Sequence, residues 1–228
     1  MIIAIDGPAG TGKTTVAKRV AERLRFAYFD TGAVYRAVTW VVLKKKIDLK
    51  DEASLKEILE SLLFRIEERV DGRRYFIGTV DVSEEIRSPE VTAHVSAVAA
   101  LPIVRKSLLK IQRDVATRGN IVFEGRDIGS VVFPNAELKI FLTARPEVRA
   151  RRRLDELLAK NPEMKKTLSP ETMLQEITRR DQLDSTRELA PLICPKDAHI
   201  IDTSYLTIDE VIEQIIQYKQ KLHGKHSS

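Results

Sequence analysis

Gly7-Pro8-Ala9-Gly10-Thr11-Gly12-Lys13-Thr14 matches the spacing G-x-x-x-x-G-K-T. Glycines let backbone N–H groups turn inward and approach an anion with no Cβ in the way. Lys13 adds a full positive charge, and Thr14 offers a hydroxyl to a divalent cation. A helix starting directly after the turn would aim its positive end at the same anion. The motif needs an apolar strand before it and an amphipathic helix after it, and the sequence supplies both. Gly7 to Thr14, continued by Thr15, therefore predict a phosphate-binding loop for a nucleoside triphosphate with Mg²⁺.

Three further clusters call for an anion. Glu124-Gly125-Arg126-Asp127-Ile128-Gly129 follows a predicted parallel strand, and ligands bind at the carboxyl ends of such strands. Arg126 suits a phosphate there, and Asp127 can accept from an arginine or from a base amino group. A surface turn with a local Arg–Asp pair is the other reading. Glu124 either holds Mg²⁺ through water or is a solvated acid closing the strand, and both readings stay open. Arg180, Asp184 and Arg187 are spaced i, i+4, i+7 and would share one helix face. Arg149, Arg152 and Arg153, with Arg145 and Arg151 beside them, would repel one another unless polyphosphate lies between them. Arginine binds phosphate bidentately and stays charged. Phosphoryl transfer asks a protein mainly for positioning and charge neutralisation.

Other chemistries find less support. No Asn is followed by Lys and no Asp has Gly three residues on, so the motifs of a GTP switch are missing. No Ser–His–Asp set is evident, and the four histidines lack metal-ligand spacing with cysteine. The net charge of +5 and pI of about 9.3 suit nucleic acid, anionic lipid or a polyphosphate. Aromatics make up 6% of the chain and none interleaves with the arginine helix, so no nucleic-acid groove is expected. No apolar run reaches the ~18 residues of a membrane span, and the N-terminus does not read as a signal peptide. The single cysteine, Cys194, excludes an intramolecular disulfide and fits a reducing compartment. A cytoplasmic monomer with no membrane partner is expected.

Hydrophobic periodicity places these residues on an α/β frame. Residues 1–6 form a strand ending in Asp6. A helix from about Gly12 to Arg25 presents Val16, Val20 and Leu24, and Phe26 to Phe29 is a second strand. Helices are expected over Thr31–Lys46 and Leu55–Leu63. The alternation of Phe64 to Glu67 and Tyr75 to Ile77 about Asp71-Gly72 predicts a hairpin, with Val80–Val82 as a possible third strand. Helices at Pro89–Ala99 and Ile103–Thr117 lead to a strand at Asn120–Phe123 and another at Leu138–Leu142. Helices near 146–160 and 170–187 follow, then a short strand at Ile200-Ile201. A capping box, Thr207 with Glu210, opens the last helix, whose core face is Ile208, Val211, Ile212, Ile215 and Leu222. An antiparallel hairpin inside a βα pattern implies an inserted subdomain over roughly 63–100.

The segments Gly7 to Thr14, Asp30-Thr31-Gly32-Ala33-Val34-Tyr35-Arg36, Glu124 to Gly129, and Arg180-Asp181-x-x-Asp184-x-x-Arg187 together resemble the bacterial cytidylate kinases. So do Asp81 to Arg87, Val95 to Ala99 and Val104-Arg105, and the resemblance spans residue 2 to about 222. It implies a P-loop three-layer sandwich with a parallel sheet core, an inserted monophosphate-binding subdomain with a small antiparallel sheet, and a short lid. The single kinase domain would cover 1–222: core about 1–30, 101–145 and 188–222, monophosphate-binding subdomain about 31–100, and lid about 146–187. Residues 223–228 would be a flexible tail. The implied reaction takes ATP plus CMP or dCMP to ADP plus CDP or dCDP.

By the same resemblance, Thr31 and Asp127 would contact the cytosine edge, with Thr31 standing where many relatives have Ser. Arg36, Arg126 and Arg180 would hold the acceptor phosphate, and Arg105 would help at its base or phosphate side. Ser96, Asp184 and Arg187 would face base or sugar. Arg149, Arg152 and Arg153 would lie in or beside the lid, closing on ATP phosphates and transition-state charge. Related kinases of UMP, dTMP or shikimate fit Thr31, Asp127 and the 63–100 insertion less well. A nucleic-acid-dependent ATPase and a nucleotide-binding module are the readings from other classes.

Overall fold

The computed structural model describes residues 1–70, 72–117, 119–160, 162–163 and 168–224. Asp71 of the expected hairpin turn, part of the expected lid and the last residues of the expected tail, 225–228, lie outside that set. The chain forms two compact units, residues 1–29 with 116–228 and residues 30–115.

The first unit holds a five-stranded parallel sheet, in the order β2 (Ala27–Asp30), β6 (Ile121–Glu124), β1 (Ile2–Asp6), β7 (Leu138–Thr143), β8 (His199–Asp202). β1 is central and covered on both faces, which is why Ile2-Ile3-Ala4-Ile5 is an unbroken apolar run. It pairs in parallel with β6 and β7, so the ends of all three point the same way. α1 (Lys13–Leu24) buries Val16, Ala17, Val20 and Ala21, and α8 (Ile208–Gly224) buries Val211, Ile212, Ile215 and Ile216 in the same core. α6 (Pro146–Lys160) and α7 (Pro170–Thr186) pack together through Ala150, Leu154, Met173 and Ile177.

The second unit holds α2 (Thr31–Lys44), α3 (Glu52–Glu60), α4 (Pro89–Ala100) and nearly all of α5 (Pro102–Ala116). Its antiparallel sheet runs β3 (Phe64–Arg69), β4 (Gly72–Ile77), β5 (Val80–Asp81). Tyr75, Val82 and Ile86 pack with Ala33 and Ala37 of α2. Asp30 caps α2 by accepting from Ala33 N–H at 3.0 Å.

Every expected helix and strand forms, with ends displaced by a turn or less. Two details of the expectation are corrected. Ile208, expected on the core face of α8, is 40% exposed, and Ile216 takes its place in the core. Ile208 is the first residue of the helix, at the rim of the packed face. Arg187 does not share a helix face with Arg180 and Asp184, because α7 ends at Thr186 and Arg187 is extended at φ −63°, ψ 142°. Ser185 and Thr186 hydroxyls donate back to the Gln182 carbonyl, and Leu192 N–H takes the Asp184 carbonyl that a continued helix would have used.

Candidate active site

The loop after β1 has the backbone its glycines predict. Gly7, Gly10 and Gly12 all have positive φ, and a Cβ on Gly7 would meet the Leu142 carbonyl oxygen at 2.0 Å. Gly12 starts α1 without a side-chain cap, so the first N–H groups of the helix keep their capacity for an anion. Lys13 is buried, and its Nζ donates to the Pro8 carbonyl at 2.6 Å and Thr11 Oγ1 at 3.4 Å. Burial, and then Arg126, hold its ammonium well below the usual lysine range.

Glu124 is not a solvated acid. It lies inside β6, 4% exposed, and accepts from Thr14 Oγ1 at 3.0 Å and from the Tyr28 hydroxyl. A hydroxyl and a carboxylate so placed are hard oxygen donors. Among the described residues no group of three or more His, Cys, Asp or Glu could cage a metal. That donor set fits Mg²⁺, which takes one or two protein oxygens and completes its shell with phosphate and water.

A second set gathers where β6 ends. Arg126 Nε donates to Asp184 Oδ2 at 3.0 Å, and Arg187 Nη2 donates to Asp127 Oδ1 at 3.3 Å. Burial pushes the Asp184 carboxyl up, but Arg126, Arg180 and Arg187 outweigh it and hold the group below the usual carboxylate range. The Arg180 guanidinium is pushed down to about 10 by burial and then by Arg126. Its Nε is buried and makes no hydrogen bond among the described residues. A buried donor of this kind is costly until an acceptor arrives, and a phosphate oxygen would serve.

The three arginines of α6 separate in role. Arg149 is buried, donates to the carbonyls of Ala144 and Ala9 at 3.0 and 3.1 Å, and pairs with Asp181 at 2.6 Å. Arg152 donates to Thr203 Oγ1 at 3.0 Å and to its carbonyl at 2.6 Å, while Thr203 Oγ1 donates to the Thr11 carbonyl at 3.3 Å. Arg153 pairs with Glu156 at 2.9 Å, one turn along the helix. Arg149 and Arg152 are thus tied to the phosphate loop or to its support, and Arg153 pairs within its own helix.

In the second unit, Thr31 is buried in the first turn of α2. Arg36 Nη1 donates to the Ile86 carbonyl at 3.2 Å and to Thr92 Oγ1 at 2.8 Å. Arg105 is buried on α5, donates to the Ala99 carbonyl at 3.1 Å, and lies 5.6 Å from the centre of the Tyr35 ring. Ser96 is half-buried on α4.

A family model described as cytidylate kinase matches residues 3–221. The chain belongs to the cytidylate kinase family. It is 53% identical over 228 residues, the whole of both chains, to a cytidylate kinase of Protochlamydia amoebophila. It is 48% identical over 217 residues, 95% of this chain and 96% of the relative, to that of Carboxydothermus hydrogenoformans. Among solved structures, an uncharacterized protein from Eubacterium ventriosum shares the fold at 15% identity, with a TM-score of 0.53 and coverage of 97% and 98%.

Four polar partners of the site were given no role by the sequence: Asp6, Tyr28, Asp181 and Thr203. Each acts on a motif residue that is distant in the chain. Asp6 carried a signal, as an acid closing a strand otherwise made of apolar residues, and Asp181 stood inside the segment Arg180-Asp181-x-x-Asp184-x-x-Arg187.

Proposed function

We propose that this chain transfers the γ-phosphate of ATP to CMP or dCMP, giving ADP and CDP or dCDP. One observation within the first unit carries the reading. Lys13, Arg126 and Arg180 stand close enough that, after burial, Arg126 and Arg180 push the Lys13 ammonium down while Glu124 and Asp6 only partly offset them. Such a cluster is unfavourable until phosphate charge enters it.

Residues Gly7 to Thr15 would take the ATP phosphates, with Lys13 on the transferred group. Thr14 and Glu124 would hold Mg²⁺, which supplies neutralisation of phosphate charge. Arg126 and Arg180 would bind acceptor phosphate, and Arg180 Nε offers an unused donor for it. Asp127 would accept from the cytosine N4 amino group, where uracil presents an acceptor and is rejected. Asp184 and Arg187 would meet the sugar and base. In the second unit, Thr31, Arg36, Ser96 and Arg105 would bind the acceptor. Arg149, Arg152 and Arg153 would serve the ATP phosphates, the first two through the loop that carries them. A lid over 146–187 would exclude water and limit ATP hydrolysis. Residues 31–100 would be the monophosphate-binding subdomain, and the enzyme would act as a cytoplasmic monomer in pyrimidine nucleotide metabolism. No described helix is long and apolar enough to cross a membrane.

The test is ADP release from ATP and Mg²⁺ with each nucleoside monophosphate in turn. CMP and dCMP should be turned over far faster than UMP, dTMP or AMP. ATP turnover stimulated by RNA, with none of the monophosphates active, would sink the proposal.

A further inference from the structure

Asp6 ends β1, one residue before Gly7, yet its carboxylate serves a different loop. Oδ1 accepts from Ile128 N–H at 2.9 Å and Oδ2 from Gly129 N–H at 2.7 Å. These N–H groups open a single helical turn of π type, Ile128–Val132. The first N–H groups of a helical turn have no acceptor within it and need one from outside. Asp127 stands at the capping position, at φ −141°, and makes no side-chain cap. Its Oδ1 accepts from Arg187 instead. Asp6 therefore does from the neighbouring strand what Asp127 would ordinarily do from its own place.

We propose that Asp6 is a positioning residue for phosphoryl transfer: by capping the turn at Ile128 and Gly129 it fixes the backbone that follows Arg126 and Asp127, and so the placing of both side chains toward the acceptor. This rests on the kinase reading given above.

Two observations support it beyond the hydrogen bonds. The turn is drawn tightly against the sheet, since a Cβ on Gly129 would come within 3.2 Å of the Lys139 stem and 3.4 Å of Asp6 Oδ2. Asp6 is 2% exposed and forms no ion pair among the described residues, so it stays there against its own solvation. Burial pushes its carboxyl up to about 6, the two N–H groups and Lys13 drawing it down and Asp127 raising it further. Both N–H groups need an acceptor, and only a carboxylate places one oxygen on each without turning a donor toward the other.

The experiment is Asp6→Asn in the full chain, with KM for CMP and for ATP, kcat, and the Kd for CMP by calorimetry. The amide keeps one acceptor and turns an N–H toward the other donor. KM and Kd for CMP should rise about tenfold or more, because small misplacements of reacting groups carry large kinetic penalties, while KM for ATP stays within about twofold. If Asp6→Asn does not fold, Asp6→Ser is read by the same CMP-to-ATP ratio. Unchanged CMP values, or equal rises for both substrates, overturn the inference and leave the kinase reading standing on the wild-type rate. A wild type that turns over no CMP removes the kinase reading and this inference with it.

Discussion

Thr14 Oγ1 lies 3.0 Å from Glu124 Oε2, joining the first turn of α1 to the end of β6 across 110 positions of sequence. Tyr28 holds the other carboxylate oxygen. Glu124 is therefore oriented from both sides, as a buried acid that helps bind a metal must be. Glu124→Gln should raise the Mg²⁺ concentration for half-maximal rate by about tenfold or more, and Tyr28→Phe should move it the same way by less. Titrating rate against Mg²⁺ at saturating ATP, with Mg²⁺-dependent thermal shift in the presence of ADP as a second readout, checks both. An unchanged Mg²⁺ requirement in Glu124→Gln would return Glu124 to a purely structural role.

Lys13→Ala should lower kcat by at least about two to three orders of magnitude, the usual loss when one charged donor leaves a developing phosphate charge. The same change removes a buried cation beside Arg126 and Arg180, so its Tm should not fall. A variant that keeps most of its turnover contradicts the assignment of the loop.

How much of this could be seen beforehand follows from the range of each interaction. The phosphate loop was legible because its strand, glycines, lysine and helix are contiguous, and local backbone rules decide them. The hairpin of β3 and β4 was legible for the same reason. Arg187 was misplaced because its position depends on Leu192 returning to the Asp184 carbonyl, a contact that periodicity does not encode. Glu124 stayed ambiguous because its burial is decided by Thr14 and Tyr28, far away in the chain. Thr203 went unseen because a threonine after a strand looks ordinary until Arg152 and Thr11 converge on it.

Asp127→Ala should weaken CMP far more than ATP. Its carboxylate pairs with Arg187, and loss of a buried acceptor for a base amino group costs about tenfold or more in selectivity. The ratio of kcat/KM for CMP over UMP, measured in the same assay, should collapse toward one. Equal losses for CMP and ATP would mark Asp127 as structural.

The Arg149–Asp181 pair joins α6 to α7 at 2.6 Å, with Arg149 buried and also donating to the Ala9 carbonyl. Asp181→Ala leaves that guanidinium without its counter-charge and should cost about 2–3 kcal/mol. Urea unfolding at neutral pH measures it. Adding Arg149→Met should recover part of the loss, because the stranded charge goes with it. A fully additive double variant would show that the pair is not coupled.

Asp6 and Asp184 should bend the pH dependence of stability in opposite directions. The folded carboxyl of Asp184 is held below its ordinary value of 3.8, so its contribution is present above that value and is lost as pH falls through the lower, folded value. The Asp6 carboxyl is raised from 3.8 to about 6, so the stability it confers is full below 3.8 and is lost as pH rises toward 6. Above pH 6 the folded state therefore carries an ionised, buried Asp6 at a cost on the order of 3 kcal/mol relative to the neutral group. Asp6→Asn removes that cost, while Lys13, Asp127 and Cys194, the other titratable groups that interact with Asp6, remain. The Tm of Asp6→Asn should thus match wild type near pH 4 and exceed it progressively between pH 4 and 7. A constant difference across that range would mean that Asp6 does not titrate in the folded protein, and a Tm below wild type at pH 7 would mean that its two N–H bonds outweigh its burial.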